Sequence, residues 1–265
     1  MIKAIEHNCT RWYTWTIPPV ETGVKQRADV VCLPESPRER GGVGICDSAY
    51  EIRKRKRVWT AVHKGSGLAT DERTYVSRGA KDDVIVTDVK RTGEKTTRII
   101  NVYDQRAMQM GHIPARTLNW QTVIRQGGTV LAGHFNAHSQ RWDPQCTQQK
   151  DATYWEEIID EYGHEIGNDD RPTHHWVRDG NEGESIIDLT LAHRPITKWT
   201  ILNRSHATDS DDEIIEWEVN VDKQEDAEDV RIVGWNLSTM SKEDEEAAVK
   251  LWTELDTGRA QLADK

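Results

Sequence analysis

The sequence contains no apolar run of the roughly 18 residues that a membrane-spanning helix needs. Its first stretch, MIKAIEHNCTRWYTWTIPP, shows no apolar segment after a basic start. Neither a membrane partner nor a secretory signal is therefore expected. Phenylalanine is nearly absent, with one Phe against 11 Trp. Trp59, Trp155 and Trp217 fall at strand-like or helical positions and are expected in the core, whereas Trp142, in a polar loop, is expected at a contact surface. The four cysteines, Cys9, Cys32, Cys46 and Cys146, lack CxxC spacing. A zinc site is thus not expected, and buried free thiols of a reducing compartment are. Positive charge is in deficit: 35 Lys+Arg against 45 Asp+Glu leaves a net charge of −10. Taken alone, that argues against nucleic acid as a partner.

The distribution of charge softens this exclusion. Residues 222–265 hold 12 acidic and 6 basic residues, whereas the body contains the run Arg53-Lys54-Arg55-Lys56-Arg57. Such a run binds phosphates or serves as a nuclear address, unless it is only a solvated loop or strand edge. With 30% charged residues and a mean hydropathy of −0.76, the chain is expected to be soluble. Its length suits one large domain, or one domain and an appendage.

Apolar runs at residues 2–7, 29–33, 57–63, 82–88, 97–103, 129–132, 185–191, 198–203 and 214–219 predict nine strands. Helical spacing predicts helices over 115–125 and 152–162, the second with Trp155, Ile158, Ile159 and Tyr162 on one face and Asp151 as cap. Pro18-Pro19 breaks any helix over residues 10–25. The expected class is α+β, a mixed two-sheet sandwich with helices outside. Residues 1–221 form the domain, and from residue 222 a charged linker leads to an exposed helix opening at Ser241.

The strands end in chemistry. GGTVLAGHFNAHSQRWD, residues 127–143, is a buried strand that delivers His134 and Asn136, which a period of two points to the same side. Asn8, Glu35, Tyr103, Asp188, Asp211 and Asp212 likewise sit at strand ends or within apolar strands. A convergent site of carboxylates, amides and one imidazole suits Mg²⁺ or Mn²⁺ better than zinc, and is equipment for phosphodiester hydrolysis.

In order, Asn8, Leu33-Pro34-Glu35, Asn101-Val102-Tyr103, Gly133-His134-Phe135-Asn136, Ser185-Ile186-Ile187-Asp188 and Ser210-Asp211-Asp212 resemble the motifs of the endonuclease/exonuclease/phosphatase superfamily. The phrases NVYDQR, FNAHSQRWD, YWEEIIDEYG, IGNDDRPTHHW and IDLTLA resemble the endonuclease domain of fungal non-LTR (LINE-type) retrotransposons. The resemblance covers residues 2–220, and the tail resembles the connection to a reverse transcriptase. It implies a four-layer, deoxyribonuclease I-like sandwich that nicks DNA with Mg²⁺ or Mn²⁺ to prime reverse transcription, and an intracellular, nuclear or cytoplasmic, location.

The resemblance also implies roles. Glu35 holds the metal, supported by Asn8, with Asp211 as a further ligand. Tyr103 and Asn136 hold the phosphate, and Asp188 pairs with the catalytic histidine. Arg53 to Arg57, Arg141 and Trp142 are the candidate DNA contacts. Two positions depart from the pattern: His134 stands where the family has the Asp of GDFN, and Asp212 where it has the His of SDH. Each loss removes a positioned acid or base, a contribution of about 10²–10⁴-fold. Impaired nicking is expected, with an inactive retroelement fragment as the alternative. A third reading makes the exchange compensatory, with His134 as base and Asp212 as metal ligand, if the two positions adjoin in space.

Overall fold

The computed structural model describes residues 1–8, 27–35, 49–55, 57–72, 83–104, 115, 118–125, 127–202 and 210–223. The chain divides into Met1–Lys223 and Gln224–Lys265. The second unit, Pro18-Pro19 and Lys56 lie outside the described residues.

Fourteen strands are described. One six-stranded sheet joins β1 (Ile2–Glu6), β2 (Val30–Leu33), β3 (Tyr50–Lys54), β4 (Trp59–His63), β13 (Ile196–Leu202) and β14 (Ile214–Val219), in the order β13-β14-β1-β2-β4-β3. The other joins β5 (Ala69–Glu72), β6 (Val84–Lys90), β7 (Thr97–Tyr103), β8 (Thr129–His134), β9 (Glu165–Ile166) and β12 (Asp188–Ala192), in the order β5-β6-β7-β8-β12-β9. β10 (His174–Arg178) and β11 (Asn181–Ser185) form a separate hairpin.

Alternation along the strands fills both faces of the sheets. Ile99 and Val130 point inward, against Ala4, Val30 and Val62 of the facing sheet. Their neighbours Ile100 and Leu131 point outward, under α1 (Trp120–Val123) and α2 (Lys150–Tyr162). Burial on both sides explains why these strands read as continuous apolar runs. The amphipathic face of α2 is as expected, with Trp155, Ile158 and Ile159 buried. Its N-cap is Gln149 rather than Asp151, which lies inside the helix, and the helix expected over 115–125 shortens to one turn. Three of the four expected layers, helix, sheet and sheet, are thus among the described residues.

Strand direction gathers the polar residues at one end of the sandwich. β1 runs parallel to β2, and β7 to β8. Asn8, Glu35, Tyr103 and His134 therefore emerge at matching ends. β12 is antiparallel to β8 and begins there, with Asp188 opposite His134. Residues 210–213 lead into β14, which is antiparallel to β1, and arrive at the same end. Gly133 permits the closest approach. Its φ is 146°, and a Cβ there would lie 2.0 Å from the Val102 carbonyl oxygen.

Candidate active site

His134 is the centre of the cluster and is buried. Its Nδ1 lies 2.8 Å from Asp188 Oδ1 and 3.7 Å from Asp212 Oδ1. The Asn8 amide touches the same nitrogen at 2.8 Å and approaches Glu35 Oε2 at 3.5 Å. Tyr103 stacks on the His134 ring, with centroids 5.7 Å apart, and donates its hydroxyl to Glu35 Oε1 at 2.9 Å. Asn8, Glu35, Tyr103, His134, Asp188 and Asp212 therefore meet in one place. The two exchanged positions do adjoin.

Backbone strain marks the same site. Among the described residues four other than glycine have positive φ, and Glu35 (49°) and Asn136 (51°) are two of them. Such conformations cost energy and persist where surrounding structure enforces them. The turn at Asn136 aims its amide at the Asp104 carbonyl, 2.7 Å away, so it does not simply continue the His134 face.

Burial and charge act oppositely on His134. Burial disfavours its charged form, but Asp188 outweighs this with its charge and hydrogen bond, aided by Asp212 and Glu35. The imidazole is pushed up to about 10 and keeps its proton at neutral pH. Burial, then the Asp188 charge, pushes Asp212 up to about 6, opposed by the His174 hydrogen bond. The buried carboxyl of Glu6 is raised well above its usual range, first by burial and then by the Asp188 charge.

His174 is a residue that sequence reasoning missed. Its Nδ1 lies 2.8 Å from Asp212 Oδ1, and its ring centroid is 6.3 Å from that of His134. The backbone explains the placement. His175 N–H donates to the Asp211 carbonyl and Glu213 N–H to that of Thr173, both at 2.7 Å. Ser210 donates its hydroxyl to the Asn8 carbonyl. These bonds stitch the β10 hairpin and β1 to residues 210–213. The adjacent imidazoles of His174-His175 before Trp176 were the available signal.

Other expected residues fall elsewhere. Asp211 is exposed, and its neighbour Asp212 is the one turned into the cluster. Trp142 is not a contact surface: it is buried and donates Nε1 to the Ala137 carbonyl. The basic run is not one phosphate clamp. Arg57 is buried in a bidentate pair with Asp83 and lies 4.8 Å over the Tyr103 ring, so it supports Tyr103 from behind. Arg53 binds Glu51 and Thr70, Lys54 covers Trp59, and Arg55 reaches the Lys54 carbonyl. Arg141 pairs with Asp160 at the surface.

The cluster fits a divalent cation. One ligand atom each from His134, Asp188 and Asp212 lie within 4.8 Å of one another, and Asp188 Oδ2 is buried without a partner. With His134 protonated against Asp188, the donors left to a cation are carboxylate oxygens, which suit Mg²⁺ or Mn²⁺.

The fold recurs among known proteins. No curated protein matches the chain in sequence. Among solved structures, the endonuclease domain of TRAS1, a telomere-specific non-LTR retrotransposon, is similar with a TM-score of 0.67 and 14% identity, covering 84% of this chain and 100% of that one. An AP endonuclease from Leishmania major is similar with a TM-score of 0.60 and 12% identity, covering 83% and 88%. A 3′ phosphatase from Neisseria, bound to a product DNA hairpin, is similar with a TM-score of 0.57 and 14% identity, covering 83% and 100%. Residues 97–216 match the family model described as endonuclease-reverse transcriptase. Residues 97–216 are therefore similar to endonuclease-reverse transcriptase sequence, and the described domain shares the fold of these solved structures.

Proposed function

We propose that residues 1–221 are a metal-dependent DNA endonuclease domain of a retroelement, slowed by the exchange of an imidazole and a carboxylate within one site. Residues 222–265 are the connection to a reverse transcriptase, a reading that the division of the chain after Lys223 supports. The observation that carries the proposal is the contact of the exchanged positions: His134 lies 3.7 Å from Asp212 and still pairs with Asp188. The groups have changed places without leaving the site.

Their roles change with their places. His134 keeps its proton against Asp188, so it donates to a phosphodiester oxygen and does not act as the base. Asp212 is the carboxylate placed to orient water and take its proton, 3.7 Å from His134. Tyr103, braced by Arg57 and Glu35, holds the phosphate. A divalent cation would be held by Glu35, Asp188 and Asp212, with Asn8 behind them. When bound, it supplies Lewis-acid stabilisation of the developing charge. These oxygen donors suit Mg²⁺ or Mn²⁺. A DNA target gives the chain a nuclear place of work.

Plasmid nicking in Mg²⁺ or Mn²⁺ tests the reading, comparing the chain as it stands with the His134→Asp/Asp212→His variant. Slow nicking by the first and rapid nicking by the second are expected in either ion. Nicking by the variant alone establishes the inactive-fragment alternative instead. DNA affinity falling steeply with salt in a gel shift would separate DNA from a small phosphate ester as substrate.

A further inference from the structure

We propose that His174, held by Asp212, is a phosphate-contacting residue of this site, replacing from a neighbouring hairpin the imidazole that position 212 lacks. The inference deepens the endonuclease reading and rests on it. Its basis is the order of groups His134, Asp212 and His174 across the site. His134 Nδ1 is 3.7 Å and His174 Nδ1 2.8 Å from the same oxygen, Asp212 Oδ1. Asp212 therefore stands between two imidazoles.

His174 is the more exposed of the two imidazoles. The side chains of His134 and Asp212 are 6% and 2% exposed, whereas His174 is 17% exposed. With Nδ1–H committed to Asp212, Nε2 is the atom of His174 left for a ligand. The carboxylate fixes which nitrogen carries that hydrogen and how the ring is turned, as in any carboxylate–imidazole pair. A phosphate oxygen is an acceptor, so it would meet this ring as an N–H donor at Nε2, opposite the Nδ1 that Asp212 fixes.

The hairpin is built to deliver this ring and not merely to cover the sheet. His174 forms an isolated bridge with Asp212, and the flanking bonds from His175 and Glu213 lock the register on both sides. A slip of one residue would bring His175 to Asp212 instead. His175 in fact turns away, with Nε2 3.2 Å from Glu213 Oε1. Trp176 anchors the same hairpin across Gly183, where a Cβ would lie 2.4 Å from the indole. A packing role alone does not require an outward nitrogen.

The test follows the histidine ring signals of the full chain by NMR during titration with a short DNA duplex in Ca²⁺, beside binding by His174→Asn and His174→Gln. Asparagine keeps a donor near the Nδ1 position and so can hold Asp212, but it lacks any group at Nε2. Glutamine reaches the Nε2 position without the Asp212 bond. The His174 signal is expected to move with that of His134, and His174→Asn to bind about 10-fold more weakly or worse, the loss of one hydrogen bond to a charged group. His174→Gln should recover part of that loss. Unchanged His164 and His193 signals in the variants report an intact fold. If the His134 signal moves while that of His174 does not, and His174→Asn binds like the parent, the inference fails and the endonuclease reading stands. If the duplex moves no signal of the cluster, both fail.

Discussion

The two ends of β8 place buried histidines in opposite surroundings. At its C-terminal end His134 meets Asp188, Asp212 and Glu35, and its imidazole is pushed up to about 10 although burial works against it. At its N-terminal end Thr129 contacts His193, whose ring lies 4.1 Å from that of His164. What His164 meets there is a second imidazole and not a carboxylate. Burial, then the neighbouring His193, pulls His164 down to about 3, and burial lowers His193 as well. Burial is shared, so it does not decide the outcome. Carboxylate company does. One end of a single strand stores a proton in a charged cluster, and the other excludes it.

The largest expected effect breaks the charged end at its backbone. Gly133→Ala would drive a Cβ into the Val102 carbonyl just before His134, and should cost more than about 4 kcal/mol in urea denaturation. Next is Asp188→Ala, which leaves the buried His134 charge without its main partner. A loss of about 3–5 kcal/mol is expected, lessened to the extent that His134 gives up its proton.

Changing pH should separate the two ends. A folded-state value near 10 for His134, above an unfolded value of about 6.5, gives stability that is complete below pH 6.5 and lost as pH rises towards 10. His164 has the opposite sign. With a folded value near 3, the unfolded chain binds the proton first, so stability falls as pH drops from about 6.5 towards 3. Denaturation across pH should show both limbs, with Asp188→Asn flattening the alkaline one and His164→Leu the acid one. The smallest effect is that of His164→Leu at pH 7. Both ring nitrogens of His164 are buried without partners, so replacing them should change stability by less than about 1 kcal/mol, or raise it.

The same contrast explains what was legible in the sequence. Strands buried on both faces, such as β7 and β8, announced themselves as apolar runs. β5, β9 and the β10–β11 hairpin did not, because ATDE, EI and NEGES carry too little apolar pattern and become strands only through their partners. The order of motifs gave His134 and the five residues that meet around it. It could not give His174, whose place depends on a tertiary bridge to residues 211–213. Nor could it tell Asp211 from Asp212, since adjacent residues face opposite ways and only register decides. Arg57 and Trp142 misled because a charge run and a polar loop say nothing of burial. Asp83 and the Ala137 carbonyl satisfy them inside the fold.

The central claim is that His134 and Asp212 compensate for each other, and the nicking rates of a double-mutant cycle test it most directly. His134→Asp would crowd three carboxylates with no imidazole between Asp188 and Asp212, while Asp212→His would set a second imidazole beside His134. Contacting residues couple, so each single variant should nick more slowly than both the parent and the His134→Asp/Asp212→His variant. A silent parent with activity restored by His134→Asp alone would contradict the account.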